Sequence, residues 1–188
     1  MARLPGVAPA DAPEEVARVY DAATAHFGKL PDPLVVTAHN LEIFRAYVAF
    51  EVAYARAHAL DARLKALASL KAAALIGCPF CIDLGSTEAR ASGLSDAELR
   101  ALATYRDSDL FSPLDKAVLD YTTAMTRAPV VVPDALFAAL REHLTPAALV
   151  ELTSTIAWEN YRSRFNHAVG IQSQGFSEGA YCVRPEGA

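Results

Sequence analysis

The stretch DARLKALASLKAAALIGCPFC, running from Asp61 to Cys81, decides how this chain folds. Asp61 is placed to cap a helix whose face is Leu64, Leu67, Ala68, Lys71 and Leu75, and Ala72, Ala73 and Ala74 let another backbone approach closely. Gly77 ends that helix immediately before Cys78 and Cys81. Pro79 has no N–H and a backbone angle suited to a first helical turn, so the thiols sit at the start of a second helix, its pattern resuming from Cys81 to Ala91 with Gly93 as its cap. A thiol there feels the positive end of the helix dipole, which favours thiolate. Two thiols one turn apart can also close a disulfide without rearranging the rest of the fold.

The same logic extends outward. Val16, Val19, Tyr20, Ala23 and Phe27 follow acidic residues at helical spacing and predict a helix over about 13–27, ended by Gly28. Pro31-Asp32-Pro33 breaks the chain; a short helix from Leu34 to His39 and a longer one from Leu41 to His58, apolar on several sides, come next. Ser95 and Glu98 form a capping box for a helix through Thr104, and Ser112 opens another that stops before Pro129. Val130 to Val132, between prolines, reads as an extended linker; Asp134 to His143 and a long segment from Pro146 to Gln174 read as helices. No strand–helix alternation appears, so the expected class is all-α, a single domain of about seven or eight helices. Residues 1–12 read as a mobile arm, 13–175 as the helical domain and 176–188 as an irregular tail.

A chain of 188 residues buries a sizeable core without disulfide staples, so cysteine is not needed for stability. With 53% hydrophobic residues and 21% charged ones, the excess apolar surface suggests a homo-oligomer. A net charge of -5 provides no basic field, which argues against a nucleic-acid partner. Pro5, Pro9 and Pro13 interrupt what a secretion signal would need, and no run of eighteen apolar residues is free of charge, so no membrane association and a cytoplasmic location are expected. In that compartment a CxxC pair is redox-active or metal-binding rather than structural. No second CxxC, CxxH or spaced histidine pair supplies the remaining metal ligands, which leaves a redox dithiol or inert buried thiols.

The run Leu60 to Leu67, the motif Gly77 to Asp83 and the later segment Glu159 to His167 together resemble the carboxymuconolactone decarboxylase and alkylhydroperoxidase D superfamily over about residues 35–180. The resemblance implies an all-helical homo-oligomer that reduces alkyl hydroperoxides through its CxxC, without metal or cofactor, with a small peroxide as substrate and an external dithiol as reductant. It assigns Cys81 as the attacking thiolate and Cys78 as the resolving thiol. Peroxidases of this family add a Glu about twelve residues before the first cysteine and a His four after the second; those positions here are Ala66 and Gly85. Gly85 lies one turn beyond Cys81 on the same face and leaves space for a group from another helix. Glu159 and His167, on roughly one side of the last helix, are the candidates for that proton relay.

Asp83 and Ser86 point off the face of Cys81, toward solvent or helix–helix hydrogen bonds. Asn166 and Tyr161 belong to the contact between the last helix and the motif helix, Trp158 to the core, and His26, His39, His58 and His143 to the surface. Cys182 reads as a free thiol in the tail. Two other readings stay open: a lyase of the same superfamily that makes no redox use of the cysteines, and a non-catalytic oligomeric disulfide switch.

Overall fold

A computed structural model describes residues 2–177, and among these the chain forms nine α-helices and two short 3-10 turns, with no strand. The described residues divide into two compact units, one of 2–56 with 168–172, the other of 57–167 with 173–177.

In the first unit lie α1 (Glu14–Phe27), α2 (Asp32–Thr37) and α3 (Leu41–Arg56); α2 begins inside the expected break at Pro31-Asp32-Pro33, because a proline is tolerated in a first helical turn, and it ends at Thr37 rather than His39. Glu14 and Glu15 occupy the positive end of α1, and Gly28, at φ 77°, ends it in a left-handed turn. Tyr20 meets Phe44 of α3 edge to face, ring centroids 6.3 Å apart. Only Phe44 and Tyr47 of α3 are buried; Ile43, Phe50 and Val52 remain exposed. Residues 2–12 run as an extended segment with one 3-10 turn, held by hydrogen bonds from Arg3 N to Val169 O (2.7 Å) and from Val7 N to Val35 O (2.9 Å). Glycine is required at position 6, because a Cβ there would lie 2.4 Å from Val35 Cγ2.

The second unit is built around α4 (Ala62–Ile76), which packs against α5 (Pro79–Ala91) and α7 (Pro113–Thr126). Asp61 caps α4 by accepting from Arg63 N (3.0 Å) and Leu64 N (3.2 Å). Ala68, Ala72, Ala73 and Ala74 are all buried, so the small residues do face neighbouring helices. Between α5 and α7 lie α6 (Asp96–Ala101) and a 3-10 turn (Leu102–Asp107). Capping boxes at Ser95/Glu98 and Ser112/Asp115 open α6 and α7, and the Arg63 guanidinium ties the two together, contacting Glu98 and, at 2.6 Å, Asp115. Helix α8 (Asp134–His143) packs on α7.

Helix α9 (Pro146–Val169) stops five residues before the expected Gln174, because Gly170, at φ 76°, leaves the right-handed region. One face of this helix is polar and buried: Glu151, Thr155, Glu159, Ser163 and Asn166 recur at helical spacing. Such groups are tolerated where they find a partner inside the protein, as all but Thr155 do: its Oγ1 meets no hydrogen-bond partner among the described residues. Glu151 accepts from Ala59 N (2.7 Å), Leu60 N (2.9 Å) and Lys65 Nζ (2.8 Å), which fixes the entry to α4.

Burial raises the Glu151 pKa, but Lys65 and the two backbone donors outweigh it and hold the carboxyl below its ordinary 4.5. Its stabilisation is therefore complete above pH 4.5 and is lost as pH falls through the lower folded value. Glu151→Ala leaves two N–H groups and an ammonium without their acceptor and is expected to cost roughly 3 kcal/mol in urea denaturation at neutral pH, with a smaller deficit in acid. An equal deficit at pH 7 and pH 3 would show that the charge contributes nothing.

Candidate functional site

The cysteines owe their position to a one-residue reversal. Gly77 adopts φ 80°, ψ 34°, closing α4 with its N–H on Ala73 O at 2.9 Å, and Cys78 N also reaches Ala73 O at 3.2 Å. A side chain at position 77 would strain this left-handed turn. Cys78 is then the N-cap of α5 and Pro79 its first residue. The Cys78 sulfur takes the role usually filled by a serine or aspartate oxygen and accepts the Cys81 N–H at 3.2 Å. Cys78 and Cys81 are joined as a disulfide, Cα atoms 5.3 Å apart. They differ in access: Cys78 is 0% exposed and Cys81 9%.

Asn166 of α9 closes the site from the opposite side. Its Nδ2 lies 3.3 Å from Cys81 Sγ and 3.8 Å from Cys78 Sγ, and the side chain is buried. Disulfide sulfurs carry no proton and can only accept, so it is the NH2 end of the amide that must face them. Sequence reasoning placed Asn166 only at a helix contact. The signal for a site role was its phase, seven residues after Glu159 and three after Ser163 on one face.

Glu159 is buried on that face, and its carboxylate accepts from Ser69 Oγ (3.0 Å) and Ser163 Oγ (2.6 Å) and pairs with Arg162. His167 follows Asn166 directly, which turns it about 100° around the helix, and it is exposed. The structure thus brings Cys78, Cys81 and Asn166 together, keeps Glu159 on the same face of α9, and sets His167 off that face. A Cβ at Gly85 would meet Leu70 Cδ1 at 3.4 Å, so an aliphatic side chain, not a titratable one, borders that space. Trp158 is half-buried and stacked on Tyr161 at 4.9 Å rather than enclosed in the core. His26, His39, His58 and His143 are exposed, and Cys182 lies outside the described residues. Among the described residues no three His, Cys, Asp or Glu side chains are grouped to hold a metal ion, and no helix is long and apolar enough to cross a membrane.

Asp83, two residues past Cys81, does not point to solvent. It accepts from Ser173 Oγ (2.7 Å), Gln174 N (2.9 Å), Phe176 N (3.0 Å) and Ser177 N (2.7 Å), pinning the segment after α9 across the motif helix. Phe176 thereby meets Phe80, one of the two residues between the cysteines, edge to face at 5.8 Å. Burial works against the Asp83 charge, but these four donors prevail and hold its pKa below the ordinary 3.8. The latch is therefore complete above pH 3.8 and weakens as pH falls through the lower folded value. In Asp83→Ala, the amides of Gln174, Phe176 and Ser177 are expected to exchange hydrogen about tenfold faster or more at neutral pH; unchanged protection would mean that the strap is held by other contacts.

Residues 42–124 match the profile of the carboxymuconolactone decarboxylase family. The uncharacterized protein YnjA of Escherichia coli is 39% identical over 117 residues, 62% of this chain, and the chain spans 64% of YnjA's length. The alkylhydroperoxidase AhpD core structure from Ralstonia eutropha, of an uncharacterized peroxidase-related protein, superposes with a TM-score of 0.83 at 22% identity, covering 93% of this chain and 94% of its own. At that identity the likeness is one of fold. A protein of unknown function from Agrobacterium tumefaciens superposes with a TM-score of 0.67 at 29% identity over 72% of this chain and 92% of its own. Joined to the helical architecture and the CxxC turn, these matches show an alkylhydroperoxidase D-like fold whose residues 42–124 are similar to the carboxymuconolactone decarboxylase family.

Proposed function

We propose that the protein is a thiol-dependent peroxidase that reduces small hydroperoxides, with Cys81 as the attacking thiolate and Cys78 as the resolving thiol. The observation that carries this reading is the asymmetry of the pair: Cys81 is the residue with residual exposure and the shorter contact to the Asn166 donor, while Cys78 is fully enclosed at disulfide distance. In the reduced protein the Cys81 thiolate attacks the outer peroxide oxygen, the O–O bond breaks, and a proton goes to the departing alkoxide. The products are Cys81 sulfenic acid and an alcohol. Cys78 then displaces water from the sulfenic acid to form the disulfide, and an external dithiol reduces it, itself leaving as a disulfide. A reducing compartment such as the cytoplasm would supply that dithiol, and a homo-oligomer would cover the exposed apolar residues.

We assign the proton supply to Glu159 in preference to His167, because Glu159 is buried on the face of α9 that reaches the sulfurs. Seven residues of helix separate it from Asn166, about 10 Å along the axis, so Glu159 acts as a relay: a proton taken from solvent by its carboxylate is passed on through the Ser163 hydroxyl, which bonds to it, and water to the alkoxide. Glu159→Gln is expected to slow turnover about tenfold or more while leaving Cys81 alkylation unchanged; a slowing in His167→Gln instead would move the relay to His167.

Cys81→Ser is expected to abolish peroxide consumption in the presence of a dithiol, whereas Cys78→Ser should still form one sulfenic acid per chain, detected by mass after dimedone trapping. Full peroxide turnover in Cys81→Ser would sink the assignment of Cys81, and a parent protein that consumes no peroxide would favour the lyase reading.

A further inference from the structure

We propose that the Asn166 side-chain amide is the group that stabilises the Cys81 thiolate, so that a neutral hydrogen-bond donor from α9 does the work a titratable neighbour would otherwise do. The two sulfurs compete unequally for what α5 offers. The N-terminal N–H within reach, that of Cys81, is directed onto Cys78 Sγ at 3.2 Å, so the first turn favours the resolving thiol. By that contact alone Cys78, not Cys81, would be the more acidic sulfur. Cys81 instead receives Asn166 Nδ2 at 3.3 Å, with Cys78 Sγ farther from the same nitrogen at 3.8 Å.

The surroundings of Cys81 give this contact its weight. The position one turn beyond it is Gly85, bordered by Leu70, which is buried and cannot carry charge. In so apolar a setting an anionic sulfur without a donor is disfavoured. Asn166 is itself held on a buried face on which Ser163 bonds to Glu159, and its amide meets the sulfurs in the disulfide state without a proton having to move. Because an amide does not titrate, the donor is present at every pH. The reactivity of Cys81 should therefore follow a single ionisation, that of its own thiol.

This inference rests on Cys81 being the reactive thiol of the proposed function, but its test does not depend on peroxide. In the full chain carrying Cys78→Ser and Cys182→Ser, the rate of iodoacetamide alkylation of Cys81 is followed against pH with Asn, Ala or Asp at position 166. Asn166→Ala is expected to raise the thiol pKa by about one unit, seen as about tenfold slower alkylation below both pKa values. Asn166→Asp, close to the same shape but without the donor and with a carboxylate beside the sulfur, should raise it further. Should both variants fail to fold, the parent protein decides: the Asn166 side-chain amide resonances must shift with the Cys81 titration. Folded variants with the parent pKa, or amide resonances that ignore the titration, overturn the proposal. A shifted pKa in a protein that consumes no peroxide would preserve this inference and end the peroxidase reading; peroxide turnover without any pKa shift would do the reverse.

Discussion

The second unit depends on satisfying the buried polar face of α9. Five polar side chains are withdrawn from water along one helix, and four of them meet donors or acceptors that offset the cost, while Thr155 Oγ1 meets none among the described residues. Lys65 meets Glu151, Ser69 meets Glu159, and the cysteines beyond α4 meet Asn166. Both sets of numbers rise together, so α4 and α9 run parallel and their register is set rung by rung. A slip of one residue would rotate α9 by about 100° and offer Leu152, Asn160 and His167 in place of the three partners. Apolar contacts alone would leave that slip open.

The thiol pair sits where this register ends. Gly77 reverses the chain between α4 and α5 in a single residue, so the cysteines emerge at a helix start that α4 has already positioned. The same reversal presents them to Asn166, whose place is governed by the rungs below it. Local backbone geometry thus sets the distance between the sulfurs, and the α4–α9 contact sets their electrostatic surroundings. Ala66 and Gly85 remove titratable groups from the motif's own helices, and α9 contributes polar groups of a different kind.

A second layer is added by the residues after α9. Asp83 faces away from Cys81 on α5, as its offset requires, yet four donors from 173–177 converge on it. The carboxylate works as an anchor that brings Phe176 against Phe80 and shields the motif from one side. Asp83 therefore serves the site without touching a sulfur.

Most of the helical architecture was legible in the sequence because its signals are local. Asp61, Ser95 and Ser112 bond to backbone within three residues, Gly77 and Gly28 end helices by their own dihedral freedom, and Pro79 starts one by lacking an N–H. Each of the nine helices among the described residues falls on a segment read as helical, though α9 was drawn too long, since helix-compatible residues continue past the glycine that ends it. The cysteine pair was equally plain, because its spacing is a property of one turn. Asn166, the strap on Asp83 and the aliphatic side chain beside Gly85 were not legible, since each joins residues 15 to 94 positions apart. The sequence by itself determined an all-helical chain with two thiols at a helix start; which groups surround those thiols was decided only by the tertiary structure, because hydrogen-bond partners from distant helices are chosen by packing and register and leave no periodic trace in the chain.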